Sequence, residues 1–251
     1  MEIDTAFFDG NHAPEIAVEG CFAGSDDEVL EEKFRGWETI LGKQACGPSR
    51  RQAWKLAKET ENAFTHVKLM MYPDGGIARF RLFGTAIPVF PESVDEVFDL
   101  AATVNGGVAV KCSDQHFGSR ENLLLPGRGV DMGDGWETKR SRGKGHTDWV
   151  IVRLGAPGEI ERVVVDTAHF RGNFPQSVMV EAINHPGPAP DAEDVGWVQL
   201  VGAQKCGPDK ELAFDEELRN VSGRVYTHVK LVIIPDGGVK RFRVFGQRKV
   251  G

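Results

Sequence analysis

The sequence has no C-x-x-C pair, and its four cysteines, Cys21, Cys46, Cys112 and Cys206, stand far apart. That spacing fits neither a zinc ribbon nor a disulfide-stapled small domain, so free, buried thiols are expected. No apolar run approaches the roughly 20 residues that a membrane-spanning helix needs. The opening residues, Met1-Glu2-Ile3-Asp4, carry neither the basic nor the apolar region of a secretory signal, and a cytoplasmic location is expected. Positive charge is not in excess: 30 Lys and Arg stand against 37 Asp and Glu, for a formal net charge of −7. Phosphate neutralisation requires a clustered basic excess, so no nucleic-acid partner is expected, and no membrane partner either. His116, His169 and His185 make no spacing such as H-x-x-x-H, and neither a metal nor a cofactor is expected.

What the chain does have is glycine and proline, 30 and 13 in 251 residues, with 41% hydrophobic residues, the make-up of a folded, loop-rich protein. It also repeats itself. Residues 65–84, THVKLMMYPDGGIARFRLFG, match residues 227–246, THVKLVIIPDGGVKRFRVFG, 162 positions later. At the same offset Ile3-Asp4-Thr5 with Phe8, Gly10 and Asn11 matches Val165-Asp166-Thr167 with Phe170, Gly172 and Asn173, and Cys46-Gly47-Pro48 matches Cys206-Gly207-Pro208 at 160. A period this long is too large for a solenoid and indicates two copies of a whole domain. Residues 106–164, which precede the second copy, have no counterpart before Met1, so the first copy is expected to be incomplete.

Residues 64–72 alternate, with Val67, Leu69 and Met71 on one face and His66 and Lys68 on the other. Pro73-Asp74-Gly75-Gly76 supplies turn chemistry, and Phe80 and Leu82 resume the apolar face, a pattern that predicts a hairpin. The second copy repeats it with Val229, Leu231 and Ile233, the turn Pro235-Asp236-Gly237-Gly238, then Phe242 and Val244. Further strand signals at 15–22, 149–154, 160–166, 177–183 and 197–201 point to an antiparallel sandwich. Ser93 with Glu96 reads as a capping box, Val94, Val97, Phe98 and Ala101 share a helical face, and Asn105-Gly106-Gly107 ends the run. The expected organisation is therefore a first repeat at 1–84, a linker with a short helix at 85–107, and a complete second repeat at 108–251.

Chemistry-bearing side chains concentrate between 112 and 149, in Gly-rich loops of the kind that carry sites on rigid β scaffolds. Arg140 and Arg142, two apart, would face one way on a strand and grip a carboxylate; otherwise they form a solvated basic edge beside Lys139 and Lys144. His146 titrates near neutrality and suits a general acid or base, unless Asp148 merely satisfies it. Glu121 and Glu137 are candidate bases or binders of polar N–H groups, with Asn122 beside them, or else ordinary exposed carboxylates. Trp136 and Trp149 wall a pocket or join the core. Asp166, Thr167 and Asn173 recur as Asp4, Thr5 and Asn11, which favours a structural turn. His66 and His228, beside Lys68, Lys230 and the arginines at 79, 81, 241 and 243, read as a solvated or interdomain face.

Three features together resemble the allantoicase family over essentially all 251 positions: the run from Gly133 to Trp149, the segment Asp166-Thr167-x-x-Phe170-x-Gly172-Asn173-Phe174-Pro175, and the paired T-H-V-K-L…P-D-G-G motifs. The resemblance implies an all-β fold of two tandem jelly-roll, galactose-binding-like β-sandwich domains, the first incomplete. It implies a homo-oligomeric hydrolase that converts the small molecule allantoate and water to ureidoglycolate and urea in allantoin degradation. Allantoate carries a carboxylate and two ureido groups on one carbon. An arginine fork suits the first, and Asp, Glu or Asn suit the ureido N–H groups. One group protonates the departing nitrogen and another takes a proton from water. On this reading His146, Glu137 and Glu121 are the candidate catalytic residues, and Arg140, Arg142, Asp148, Trp136 and Asn122 the candidate substrate-binding ones. The rival is a non-catalytic ligand-binding module, or an inactive truncated enzyme. The excess of Glu, Arg, His and Asp over aromatics in 133–149 favours the enzyme.

Overall fold

A computed structural model describes residues 1–58 and 60–250. The chain divides into two compact units, Met1–Ile87 and Pro88–Gly251.

In the first unit, β1 (Glu2–Asp4) lies between β4 (Arg51–Ala53) and β6 (Arg79–Arg81), and β2 (Glu15–Cys21) lies between β3 (Glu38–Ala45) and β5 (His66–Tyr72), all antiparallel. A short helix, α1 (Asp26–Leu30), starts where the Ser25 hydroxyl accepts the Glu28 N–H. Alternate residues of these strands face one small core of Ile3, Ala13, Ile16, Val18 and Cys46, with Ile40, Trp54, Val67, Leu69 and Phe80 packed against it and only partly buried.

The second unit adds β7 (Val97–Asp99), β8 (Val108–Cys112), β9 (Trp136–Glu137), β10 (Asp148–Asp166), β11 (Ser177–Ile183), β12 (Val198–Lys205), β13 (Glu211–Phe214), β14 (Tyr226–Ile234), β15 (Gly238–Val239) and β16 (Arg241–Arg248). The 19-residue β10 serves both layers. Its first part, Asp148–Arg153, runs between β14 and β8; after an irregularity at Gly155-Ala156-Pro157-Gly158 its last part runs between β16 and β13. Thus β12, β11, β14, β10 and β8 form one layer, and β13, β10, β16 and β7 the other. Val150 and Val152, Val178 and Val180, Val229 and Leu231 from the first layer meet Val163, Val165, Phe242 and Val244 from the second in one core that also takes in Trp136, Leu123 and Leu124. Side chains of this size contribute about 1.5 to 3 kcal/mol each when fully buried.

The all-β expectation holds, and the repeat is exact in register. Ile3 pairs with Gln52 and Phe80, and Val165 with Leu212 and Phe242; Glu15 pairs with Tyr72, and Ser177 with Ile234. Thr5 Oγ1 donates to the Gly47 carbonyl at 2.7 Å and Thr167 Oγ1 to that of Gly207 at 2.7 Å, while Asp4 and Asp166 each accept the N–H two residues on. The recurring Asp-Thr is a turn clamp in both copies. All four cysteines are free, and burial pushes their thiols up, that of Cys206 to about 11.

Two expectations are corrected. Strands β5 and β6 do not form a hairpin, nor do β14 and β16: β5 pairs with β2 and β6 with β1, so Pro73-Asp74-Gly75-Gly76 carries the chain from one layer to the other. Each strand has one buried face in either arrangement, so alternation alone does not tell them apart. Nor does 93–101 form a helix. Val97–Asp99 pairs with Phe245–Gln247, Phe98 packs on Phe90, and the Asp99 carboxylate accepts the N–H groups of Val244 and Ala101. A helix of two turns is marginal alone, and these sheet contacts outweigh it; Ser93 closes only a turn, accepting the Asp95 N–H.

Candidate active site

Register places four segments at one end of the first layer of the second unit. Cys112 is paired through Val150, Asp148 with Ile233, and Ser177 with Ile234. The loops after β8, before β10, before β11 and after β14 therefore open together. Gly237, at φ 134°, has a place for a Cβ only within the backbone of 173–175, and at Gly238 a Cβ would meet the Phe170 ring at 2.0 Å. The two glycines let the turn after β14 pack against the loop before β11.

Onto this turn the 137–148 loop is tied at successive points. Thr138 N–H donates to the Gly237 carbonyl at 3.1 Å and Ser141 N–H to Asp236 Oδ2 at 2.7 Å. Lys139 N–H donates to Asp114 Oδ2 at 2.8 Å. The backbone on both sides of Arg140 is thus fixed, while the Arg140 and Arg142 side chains are exposed and make no ion pair among the described residues. Asn173 Nδ2 donates to Glu137 Oε1 at 2.5 Å, which orients that half-buried carboxylate.

Asp148 is buried, at 2% exposure. Its Oδ1 accepts the Ser113 hydroxyl at 2.7 Å, and its Oδ2 lies 3.2 Å from Nε2 of the half-buried His146. The contact between Asp148 Oδ2 and His146 is one of charge proximity and not a hydrogen bond, and Oδ2 has no hydrogen-bond partner. Ser113 bonds Asp148 and not His146, so the group is no nucleophilic relay. The rim thereby offers two guanidinium groups without ion pairs, one imidazole beside a buried carboxylate, and one carboxylate oriented by Asn173.

Arg140, Arg142, His146, Asp148 and Glu137 from the sequence reading share this rim; the other candidates are engaged elsewhere. Trp136 is fully buried in the core, with Nε1 donating to the Asp114 carbonyl at 2.8 Å, and walls no pocket. It begins the two-residue strand β9, whose pairing with β15 turns the indole inward. Asn122 ties down the chain, donating to the Gly135 carbonyl at 3.0 Å, and Glu121 is exposed and occupied by Ser119 and Arg120, 3.2 Å from Arg120 Nε. Nor is the second copy's basic face solvated. His228, Lys230 and Arg241 are buried, Lys230 against Glu181 at 2.7 Å, and Arg241 and the fully buried Lys240 against Asp134. Arg128 grips Asp166 with two bonds of 2.7 and 2.9 Å, which holds its guanidinium more firmly protonated than usual. Ser113, Asn173 and Asp236 were not legible as site residues because each acts through a partner distant in sequence.

A cavity of about 540 Å³ lies at the opposite end of the same layer, lined by Asn184, His185, Asp194, Arg224 and Tyr226 among others. Its polar groups are also held: His185 Nδ1 accepts the Gly187 N–H at 3.0 Å and Asp194 Oδ2 the Asp191 N–H at 2.8 Å, with His185 Nε2 4.0 Å from Asp194. The rim is the stronger candidate because its loops bring two guanidinium groups without ion pairs together with an oriented carboxylate, where the cavity lining offers one such group, Arg224. Among the described residues, no group of three or more His, Cys, Asp or Glu side chains is gathered to hold a metal ion.

Fold and rim together define a tandem β-sandwich protein whose loops carry guanidinium, imidazole and carboxylate groups at one end of the second unit. The family profile of the allantoicase repeat matches residues 1–87 and 98–249. Allantoicase of Neurospora crassa is 62% identical over 253 residues, covering 100% of this chain and 71% of the relative. Allantoicase of Saccharomyces cerevisiae is 54% identical, covering 98% of this chain and 71% of the relative. A crystal structure of the Saccharomyces cerevisiae enzyme superposes with a TM-score of 0.82 at 52% identity, covering 98% of this chain and 71% of that one. The chain belongs to the allantoicase family and is an enzyme, a hydrolase of allantoin degradation.

Proposed function

We propose that the loop rim of the second unit converts allantoate and water to ureidoglycolate and urea. The observation that carries this reading is the pinned backbone around Arg140, on the same loop rim as His146, which lies against Asp148, and as Glu137, oriented by Asn173. Arg140 and Arg142 bind the substrate carboxylate. One ureido nitrogen leaves the central carbon as that carbon gains the oxygen of water. His146, whose Nε2 lies 3.2 Å from Asp148, delivers the proton that the departing nitrogen needs, and Glu137 takes the proton that water loses. Atoms balance: one C–N bond breaks, one C–O bond forms, and no oxidant or reductant is required. Asn173 and Ser113 are positioning residues, acting through Glu137 and Asp148. The reading includes a cytoplasmic location and homo-oligomeric assembly; no helix among the described residues is long and apolar enough to cross a membrane.

The test is urea release from allantoate by the purified 251-residue chain. Urea and ureidoglycolate appearing one for one is the expected result, and a folded sample without turnover over background contradicts it.

A further inference from the structure

The cavity at the other end of the second unit has no part in the proposed reaction, and its lining is chemically selective. It opens between the loop after β11, the start of β12 and the start of β14, with an apolar wall of Ile183, Val198, Val225 and the buried Tyr226. Its volume of about 540 Å³ lies in the range of small-molecule pockets.

A hollow of about 270 Å³ occupies the same place in the first unit: Glu38 pairs with Gly20 as Val198 pairs with Ala182, and Phe64 corresponds to Tyr226 at the repeat offset. There the Asn62 amide donates to Glu38 Oε2 at 2.8 Å, so the two polar groups satisfy each other. Arg224 and Val198 stand at the equivalent places of the second unit. The valine accepts nothing, and the exposed Arg224 guanidinium makes no hydrogen bond or ion pair among the described residues.

Asp194 supplies the opposite charge. Its Oδ2 accepts the Asp191 N–H at 2.8 Å, which fixes the carboxylate, and His185 Nε2 stands 4.0 Å away, beyond hydrogen-bond distance. A ligand that matches this lining carries a carboxylate for Arg224, a cationic N–H group for Asp194 and a hydrocarbon part for the wall. Allantoate has the carboxylate but neither a cation nor an apolar part.

We infer that this cavity binds a free α-amino acid with an aliphatic side chain, its carboxylate on Arg224, its ammonium on Asp194 and its side chain against Val198, Val225 and Tyr226. The site is separate from the loop rim, and its test is binding, not turnover.

The probe is L-leucine, titrated calorimetrically into the full chain. Beside it stand L-leucinamide, which lacks the carboxylate, isocaproate, which lacks the ammonium, and free glycine, which lacks the side chain. Saturable leucine binding with a Kd of about 1 mM or tighter, weakened about tenfold or more for each of the three analogues, is expected. Arg224→Ala and Asp194→Asn are expected to weaken leucine by a similar factor with melting temperatures nearly unchanged, since the first removes a side chain without partners and the second keeps an oxygen for the Asp191 N–H. Val198→Glu, which gives Arg224 the kind of partner that Asn62 has, is expected to weaken it too, and Arg140→Ala on the rim to leave it unchanged. No saturable leucine binding, equal affinity for any analogue, or leucine binding that survives Arg224→Ala overturns the inference. Allantoate that binds more tightly than leucine, and loses that binding in Arg224→Ala, also overturns it and places the reaction here, whereas absent urea release with leucine binding intact counts against the rim alone.

Discussion

His228 is 1% exposed, its Nδ1 beside the Thr227 hydroxyl at 2.9 Å and its Nε2 beside the Pro188 carbonyl at 3.2 Å. Burial above all lowers its proton affinity below the ordinary value of 6.5; the hydrogen bond with the Pro188 carbonyl opposes this, and the charges of His185 and Arg153 add lesser lowering effects. As pH falls through that value the unfolded chain takes up a proton that the folded chain refuses, so stability present above about pH 6.5 declines below it. Asp99 has the opposite sign: burial raises its carboxyl, and acidification relieves its cost. His228→Gln is therefore expected to flatten the fall in melting temperature between pH 7 and 5, measured against wild type by circular dichroism; an unchanged slope would assign the acid sensitivity elsewhere. Lys240 is a harder case. It is fully buried, burial lowers its proton affinity, and its carboxylate partner is Asp134, which also serves Arg241. Removing one partner leaves the other charge stranded. Asp134→Ala is expected to cost about 3 kcal/mol in urea denaturation, the lower end of the range for buried pairs because Asp134 is partly exposed; a loss under about 0.5 kcal/mol, the level of an ordinary surface substitution, would contradict this.

At the scale of elements, the two Gly-Gly turns hold each unit's layers together by letting an aromatic ring close in, Phe170 over Gly238 and Phe8 over Gly76. Gly238→Ala is expected to destabilise the second unit by about 1 to 3 kcal/mol, as overpacking does. A wild-type melting curve would show that Phe170 swings aside at no cost. These turns were legible in the sequence as Pro-Asp-Gly-Gly, and so were the repeat, its 162-residue offset and most strand positions, because period-2 burial and turn residues are local signals. The pairing partners were not. Alternation in 66–72 and 79–81 fits a hairpin as well as a crossover, and only the long-range contacts of β1 and β2 decide. Residues 93–101 carry a helical pattern, but Phe98 finds Phe90 and Asp99 finds the Val244 N–H, contacts that span up to 145 positions. The rim was half legible for the same reason: Arg140, His146 and Glu137 sit in one polar stretch, whereas Ser113, Asn173 and Asp236 join them only through the fold.

For the whole molecule, the two copies have the same register and unequal furnishing. The acid–base and guanidinium groups of the rim lie at one end of the second unit, and the cavity of about 540 Å³ lies at the other. Both ends offer an exposed arginine, Arg140 on the rim and Arg224 at the cavity. The measurement that separates them is kcat/KM for allantoate in Arg140→Ala and Arg224→Ala, each with its melting temperature. Arg140→Ala is expected to lose the equivalent of about 2 to 5 kcal/mol of transition-state binding with its melting temperature nearly unchanged, and Arg224→Ala to stay close to wild type. A wild-type-like Arg140→Ala, or an equal or larger loss in Arg224→Ala, would contradict the placement of the site.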